Sequence, residues 1–219
     1  MLFLAVTLGF LVENKREHYI EDKRADHLVG SLIKDLQKDT ALLNWLDDFR
    51  LQKRKARLDS FYVLLQMPPE KIDKRIFYPL LYSICEWYPF IPSGGTMNQL
   101  KNAGYLRYFS DNTLLEYISD YEFLIQDFKN DENIEFHLHY DKLVQLIKQH
   151  SNDADMYKFY IAGSLPSGIG INSFNPEILS SIKAYTLEQM WYNKTQMTKQ
   201  NDRVRSKAIE FIDYLDSIH

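Results

Sequence analysis

The chain has a single cysteine, Cys85, among 219 residues. An intrachain disulfide framework and a cysteine-built zinc site are thereby excluded. Glycine and proline are also scarce, at eight and seven. They gather in a few places, which argues against an all-β fold with its many tight turns. Neither charge sign dominates: 26 Lys and Arg stand against 30 Asp and Glu, for a formal net charge of −4. A generic nucleic-acid-binding surface is therefore disfavoured, and no nucleic-acid partner is expected. Long hydrophobic runs are missing too. Residues 1–12 (MLFLAVTLGFLV) carry no charged side chain, and Glu13-Asn14-Lys15-Arg16 follows at once. A spanning helix needs about 20 apolar residues. A cleavable signal needs a basic n-region and a small-residue cleavage site, and neither is present. Three readings of residues 1–12 stand: a buried helix end, a signal remnant, or the outer part of a membrane anchor whose natural start precedes Met1. The anchor is the expectation carried forward.

What is abundant is apolar and aromatic. Hydrophobic residues make up 45% of the chain, with 15 Tyr and 13 Phe, and large rings bury much area per residue. Such a chain can build a core and is not disordered over most of its length. From Glu13 to Leu65 there is no proline, and Gly30 is the one breaker. Ala25, Leu28, Leu32, Leu36, Leu43, Leu46 and Phe49 recur at three-, four- and seven-residue steps, the apolar stripe of a helix. Unbroken, that helix would run on the order of 80 Å, and it would need packing partners.

Met67-Pro68-Pro69 ends it, since the residue before a proline is pushed out of helical geometry. A second helix is predicted over 71–87, with Pro79 as a possible kink. Residues 88–95 (YPFIPSGG) read as a rigid turn. Thr96 and Gln99 fit a capping box for a short helix ending near Ala103 and Gly104. Asp111 can cap the next helix, whose buried face is Leu114, Ile118, Tyr121, Ile125 and Phe128. A polar turn is predicted at 129–133. Residues 134–147 alternate like a strand through Ile134, Phe136, Leu138 and Tyr140. They fit a helix equally well through Phe136, Tyr140, Leu143, Val144 and Ile147; helix is preferred because no second strand is available to pair. Residues 164–174 form the longest irregular stretch. Asn175-Pro176-Glu177 is a strong helix start. The last helix carries Leu179, Ile182, Thr186, Met190, Met197, Val204, Ala208, Phe211 and Leu215.

Two segments resemble a known pattern. In LAVTLGFLVENKREHYIEDKRADHLVGSLIKDLQKD, Val12-Glu13-Asn14 and Leu32-Ile33-Lys34-Asp35-Leu36 hold the places of a hydrophobic span ending in an Asn-containing turn and a Leu- and Asp-bearing helix. In PSGGTMNQLKNAGYLRYFSDNTLLEYISDYE, the matching positions are Gly104, Leu106, Asp111, Asn112, Leu115, Ile118 and Tyr121. Together they resemble an uncharacterised family of single-pass membrane proteins of Bacteroidota, a domain of unknown function. The resemblance implies a basic segment and the first half of the span ahead of residue 1. It also implies an inner-membrane location with the bulk of the chain in the periplasm, by the positive-inside rule. Lys15, Arg16, Lys23 and Arg24 taken alone point the other way. No enzymatic activity comes with the resemblance.

Five patterns could carry chemistry. Glu135, His137, His139 and Asp141 would share one face of a strand and could hold a metal; on a helix the histidines diverge by about 200°. His18, Asp22 and Asp26, with His27 alongside, step along the first helix and could hold a cation, but read more simply as a charged helix surface. Arg50, Lys53, Arg54 and Arg57 form a basic stripe that suggests lipid headgroups or a solvated or intersubunit salt-bridging face. The turn 93–96 precedes a helix and could present amides to an anion, but lacks the lysine and spacing of a phosphate loop; 164–170 has glycines but no dinucleotide fingerprint and no strand before it, and both read more simply as plain turns. Cys85 has no identifiable base and sits among Leu80, Leu81, Ile84 and Trp87, as a buried structural cysteine does.

The expected fold is all-α: an anchor in residues 1–12, a stalk helix in 13–66, and the remainder of an elongated helical bundle in 67–219. No catalytic, metal-binding or cofactor-binding residue is assigned, and no cofactor is expected. The expected function is interaction, as a scaffold or accessory subunit that binds the membrane through residues 1–12 and a protein partner or its own copy. A ligand sensor with a pocket in the aromatic region 78–108 is the alternative. An enzyme is the least favoured reading.

Overall fold

Residues 2–64 are helical without interruption, because the apolar stripe repeats at helical spacing and no proline intervenes. The computed structural model describes residues 2–84, 88–102, 112–135, 137, 141, 145 and 176–218. In chain order they form α1 (Leu2–Asp47), a π-helical segment (Asp48–Arg54) and α2 (Lys55–Leu64). A 3₁₀ turn (Pro69–Lys71) leads to α3 (Lys74–Ile84) and α4 (Gly95–Asn102). Then come α5 (Thr113–Glu135), α6 (Pro176–Tyr192), a second π segment (Asn193–Met197) and α7 (Thr198–Ile218). Among the described residues there is no strand, so the all-α expectation holds.

The anchor expected in residues 1–12 falls on the first turns of α1. Among the described residues no helix is long and apolar enough to cross a membrane. The apolar stretch of α1 ends at Val12, about 18 Å along a helix axis, and the charged stretch begins at Glu13. Three local expectations change. The turn expected at 129–133 lies inside α5, because tertiary partners satisfy its polar residues. The helix expected from residue 71 begins at Lys74, where Asp73 Oδ1 accepts the Arg75 N–H at 2.9 Å as a cap; Pro79 sits inside it without ending it. The capping box at Thr96 is replaced: α4 begins at Gly95, and the Thr96 hydroxyl donates to Asp35 instead.

The chain divides into two compact units. Unit 1 comprises residues 1–43, 91–126 and 203–219. Its core is Leu28, Leu32, Leu36 and Leu43 of α1, Met97 and Leu100 of α4, Leu114, Ile118 and Tyr121 of α5, and Val204, Ala208, Phe211 and Leu215 of α7. Phe211 stacks on Tyr117 at 5.3 Å between ring centres and meets Tyr121 edge-on at 6.5 Å. Lys207 reaches Asp120 at 2.7 Å across α7 and α5.

Unit 2 comprises residues 44–90 and 127–202. Here α2 packs on α3 and α6, and the two π segments pack on each other. Its apolar core gathers Leu58, Phe61, Ile72, Phe77, Leu81, Ile84 and Ile182. Next to that core the inward positions become polar, and the candidate site lies there.

Candidate functional site

In the first π segment the inward positions run Leu46, Arg50, Arg54, Leu58, three consecutive four-residue steps, all buried. On an α-helix at 100° per residue, three such steps drift by about 120° around the axis. The wider i→i+5 turn of a π segment takes up that drift and keeps all four side chains inward. The second π segment has the same arrangement with Gln189, Asn193, Met197 and Asn201, again all buried. Two wide turns on neighbouring helices thus aim a guanidinium pair and an amide set into one layer.

Arg50 is 2% exposed. One of its Nη atoms donates to Glu132 Oε1 at 2.6 Å and to the Tyr88 carbonyl at 2.8 Å; the other reaches Asn201 Oδ1 at 3.4 Å. The guanidinium also lies 6.0 Å from the centre of the Phe128 ring. Glu132 accepts the Phe90 N–H at 3.1 Å. Arg54 donates to Gln189 Oε1 at 2.7 Å, to Asn193 Oδ1 at 3.2 Å and to the Ile84 carbonyl at 3.2 Å. The Gln189 amide donates onward to Glu135, so a neutral side chain links the second guanidinium to the second carboxylate. Asn201 donates to Asp47, and Gln200 to Asp131.

Two buried cations and two buried carboxylates balance. Burial pushes the Glu132 carboxyl above its ordinary value, and the Arg50 charge and the Phe90 N–H pull part of that back. Burial also pulls the Arg50 guanidinium down against the opposing effect of Glu132, yet an arginine keeps its proton in proteins. Burial raises the Tyr192 phenol as well, helped by the charges of Glu135, Asp131 and Glu132. Such a layer adds little net stability relative to apolar packing. What it does is penalise any helix register that leaves a charge without its partner.

Unit 1 has a smaller polar centre on α1. Asp39, 1% exposed, accepts the Ser93 N–H at 2.7 Å and the Tyr121 hydroxyl at 2.8 Å. Asp35, one turn away, accepts the Thr96 hydroxyl at 2.6 Å and the Thr96 N–H at 3.3 Å. Burial raises the Asp39 carboxyl despite those bonds, and raises the Tyr121 phenol further. Asp39→Ala is expected to destabilise the protein by about 2–3 kcal/mol, since a part-buried N–H and a buried hydroxyl each lose their acceptor. Asp39→Asn keeps one acceptor oxygen and should cost about half as much; urea denaturation of the two variants measures the difference.

These geometries decide where the residues singled out in the sequence stand. The 93–96 turn does present its amides to anions, but the anions are Asp35 and Asp39 of the same chain. The basic stripe splits: Arg50 is a buried ion-pair centre and Arg54 is buried among amide and carbonyl acceptors, whereas Lys53 is exposed and Arg57 half-buried. The stripe is therefore no continuous headgroup-binding face. Glu135 is buried against Gln189, while the exposed His137 pairs with Asp141 at 3.3 Å, one helical turn on. Residues 137, 141 and 145 are helical, so at those positions the helix reading stands over the strand. His139, Cys85, Asn175 and the turn 164–170 lie outside the described residues. His18, Asp22, Asp26 and His27 are all exposed on α1, with His18 3.7 Å from Glu21. Among the described residues no group of three His, Cys, Asp or Glu could hold a metal.

The pocket expected in the aromatic region 78–108 falls partly on residues outside the described ones; of the rest, Gln99 lines a groove in unit 1 with Tyr19, Lys23 and His27. Tyr78 is buried in the unit 2 core, and Tyr88 packs edge-on against Phe49 and Trp45 at 4.7 and 5.3 Å. A cleft lies in unit 2, beside the polar layer. It has a volume of about 320 Å³ and takes lining from both π segments.

Protein-family models, curated proteins and solved structures yield no match to this chain. The polar layer was missed at the sequence level, but a signal existed: polar residues at stripe positions within a run of four-residue steps, on two separate helices.

Proposed function

We propose that this protein is a helical interaction module, an accessory subunit held at a bacterial inner membrane by the apolar end of α1. One observation carries the reading. Every described side chain from Val6 to Tyr19 is exposed, Phe10 at 73%, with Val6, Leu8, Leu11 and Val12 alongside. From Leu28 onward the same helix is buried along one face. A stretch of helix with apolar residues on all sides gains nothing from water, and an isolated helix of that length is marginal. An apolar phase or a partner helix would stabilise it. The resemblance of the opening segment to the single-pass Bacteroidota proteins favours the bilayer as that phase and the periplasm as the side of the bulk. Exposed Phe123 and Leu115 on α5 are starting points for mapping a protein partner.

The test uses the full chain in bacterial cells. The wild type should remain with the membrane fraction after a high-salt wash, which strips proteins held by charge alone. Leu8→Asp/Phe10→Asp should release most of it, because each aspartate costs about 3 kcal/mol in the bilayer core. Equal distribution of the two would refute membrane attachment through this segment. Identification of chains co-purifying in mild detergent then names the partner, and a monodisperse protein with no partner and no self-association refutes the accessory-subunit reading.

A further inference from the structure

The cleft in unit 2 is built by the two wide helical turns. Leu51 and Arg50 come from the first π segment, Asn193 and Lys194 from the second, and Leu58 and Met190 from the flanking helices. Such turns recur at functional sites because they open a helix surface locally. The floor is apolar: Leu58 is fully buried, and Leu51 and Met190 are half-buried. The Trp191 ring forms a wall and stays 57% exposed. A volume of about 320 Å³ is at the small end of ligand sites, so the occupant is compact.

The charges choose its sign. Three cations and one carboxylate line the cleft: Arg50, Lys55, Lys194 and Asp59. Arg50 is balanced by Glu132 at 2.6 Å, and Lys55 by Asp59 at 2.5 Å. Lys194 is exposed and has no ion partner among the described residues. One uncompensated ammonium thus stands over an apolar floor beside an indole. We propose that this cleft binds a small monocarboxylate with an apolar body, of medium-chain or arylalkyl type. The carboxylate meets Lys194, and the body lies on Leu51, Leu58 and Met190 against Trp191. This site goes beyond the attachment role and does not depend on it.

Titration of the purified full chain with sodium octanoate, followed by calorimetry and tryptophan fluorescence, tests the inference. The expected result is saturable one-to-one binding. Octylammonium and octanol, with the same body but the wrong or no charge, should bind about tenfold more weakly or less. Lys194→Glu should raise the octanoate dissociation constant about tenfold, as loss of an exposed ion pair plus added repulsion predicts. Trp191→Ala should weaken all three probes together. Both substitutions are at exposed positions, and an unchanged far-ultraviolet circular dichroism spectrum checks that the fold is kept. Octanoate that fails to saturate, octylammonium that binds as well as octanoate, or a Lys194→Glu variant with unaltered affinity would each overturn the assignment.

Discussion

Arg50→Ala is expected to destabilise the protein by about 3–5 kcal/mol, because it leaves the Glu132 carboxylate buried without its counter-charge. It also removes the donor from the Tyr88 carbonyl and from Asn201. The double variant Arg50→Met/Glu132→Leu should recover about half of the loss, since an apolar pair needs no desolvation of charge. Urea denaturation at pH 7 measures both. A single variant within 1 kcal/mol of wild type, or a double variant no better than the single, would show that the layer is not a coupled ion pair.

The same pair predicts a pH effect. Glu132 has its folded carboxyl pushed above the ordinary 4.5 by burial, against Arg50 and the Phe90 N–H. The native state therefore holds a proton that the unfolded chain has already lost, so protonation stabilises the fold. That contribution is present in full below pH 4.5 and is lost as pH rises through the folded value. Compared with Glu132→Gln, which cannot titrate, the wild type should gain relative stability as pH falls from neutral towards 4.5. A wild-type-minus-variant difference that is flat over this range, or slopes the other way, would reverse the assignment.

Phe211→Ala should destabilise unit 1 by a similar amount, about 3–5 kcal/mol, the usual cost of emptying a buried aromatic site. The ring is fully buried and stacks on Tyr117 while meeting Tyr121 edge-on, so its removal cannot be absorbed by solvent. Phe211→Leu keeps most of the volume and should cost under about 1.5 kcal/mol. Thermal unfolding of the two variants, with amide exchange read along α5 and α7, gives the comparison. Equal losses for alanine and leucine would mean that ring geometry, not filled volume, sets the stability there.

The helical stripes were legible in the sequence. Leu28, Leu32, Leu36, Leu43, Leu46 and Phe49 are buried as their spacing requires, and so are Ile182, Thr186, Met197, Val204, Ala208, Phe211 and Leu215. Burial along a helix is a local periodicity, and one chain segment contains all of it. The fate of the charged residues was not legible. Arg50 lies among Lys53, Arg54 and Arg57, so its surroundings in sequence look like a solvated basic face. Its carboxylate is 82 positions away on α5. The turn 93–96 has the form of an anion site, and the carboxylates that fill it come from α1, 54 and 61 positions back. The polar stretch 129–133 looks like a turn until Glu132 finds Arg50.

By itself the sequence determined that this protein is helical, which faces of α1, α5, α6 and α7 are apolar, and that residues 1–12 are uncharged and stop short of a spanning length. Those are properties of spacing and composition, which each segment carries alone. Only the tertiary structure decided that two arginines are core residues, that two wide turns meet to open a cleft, and that the Ser93 and Thr96 amides are already satisfied by aspartates. The physical reason is that burying a charge is favourable only with a partner in place, and the partners come from distant helices.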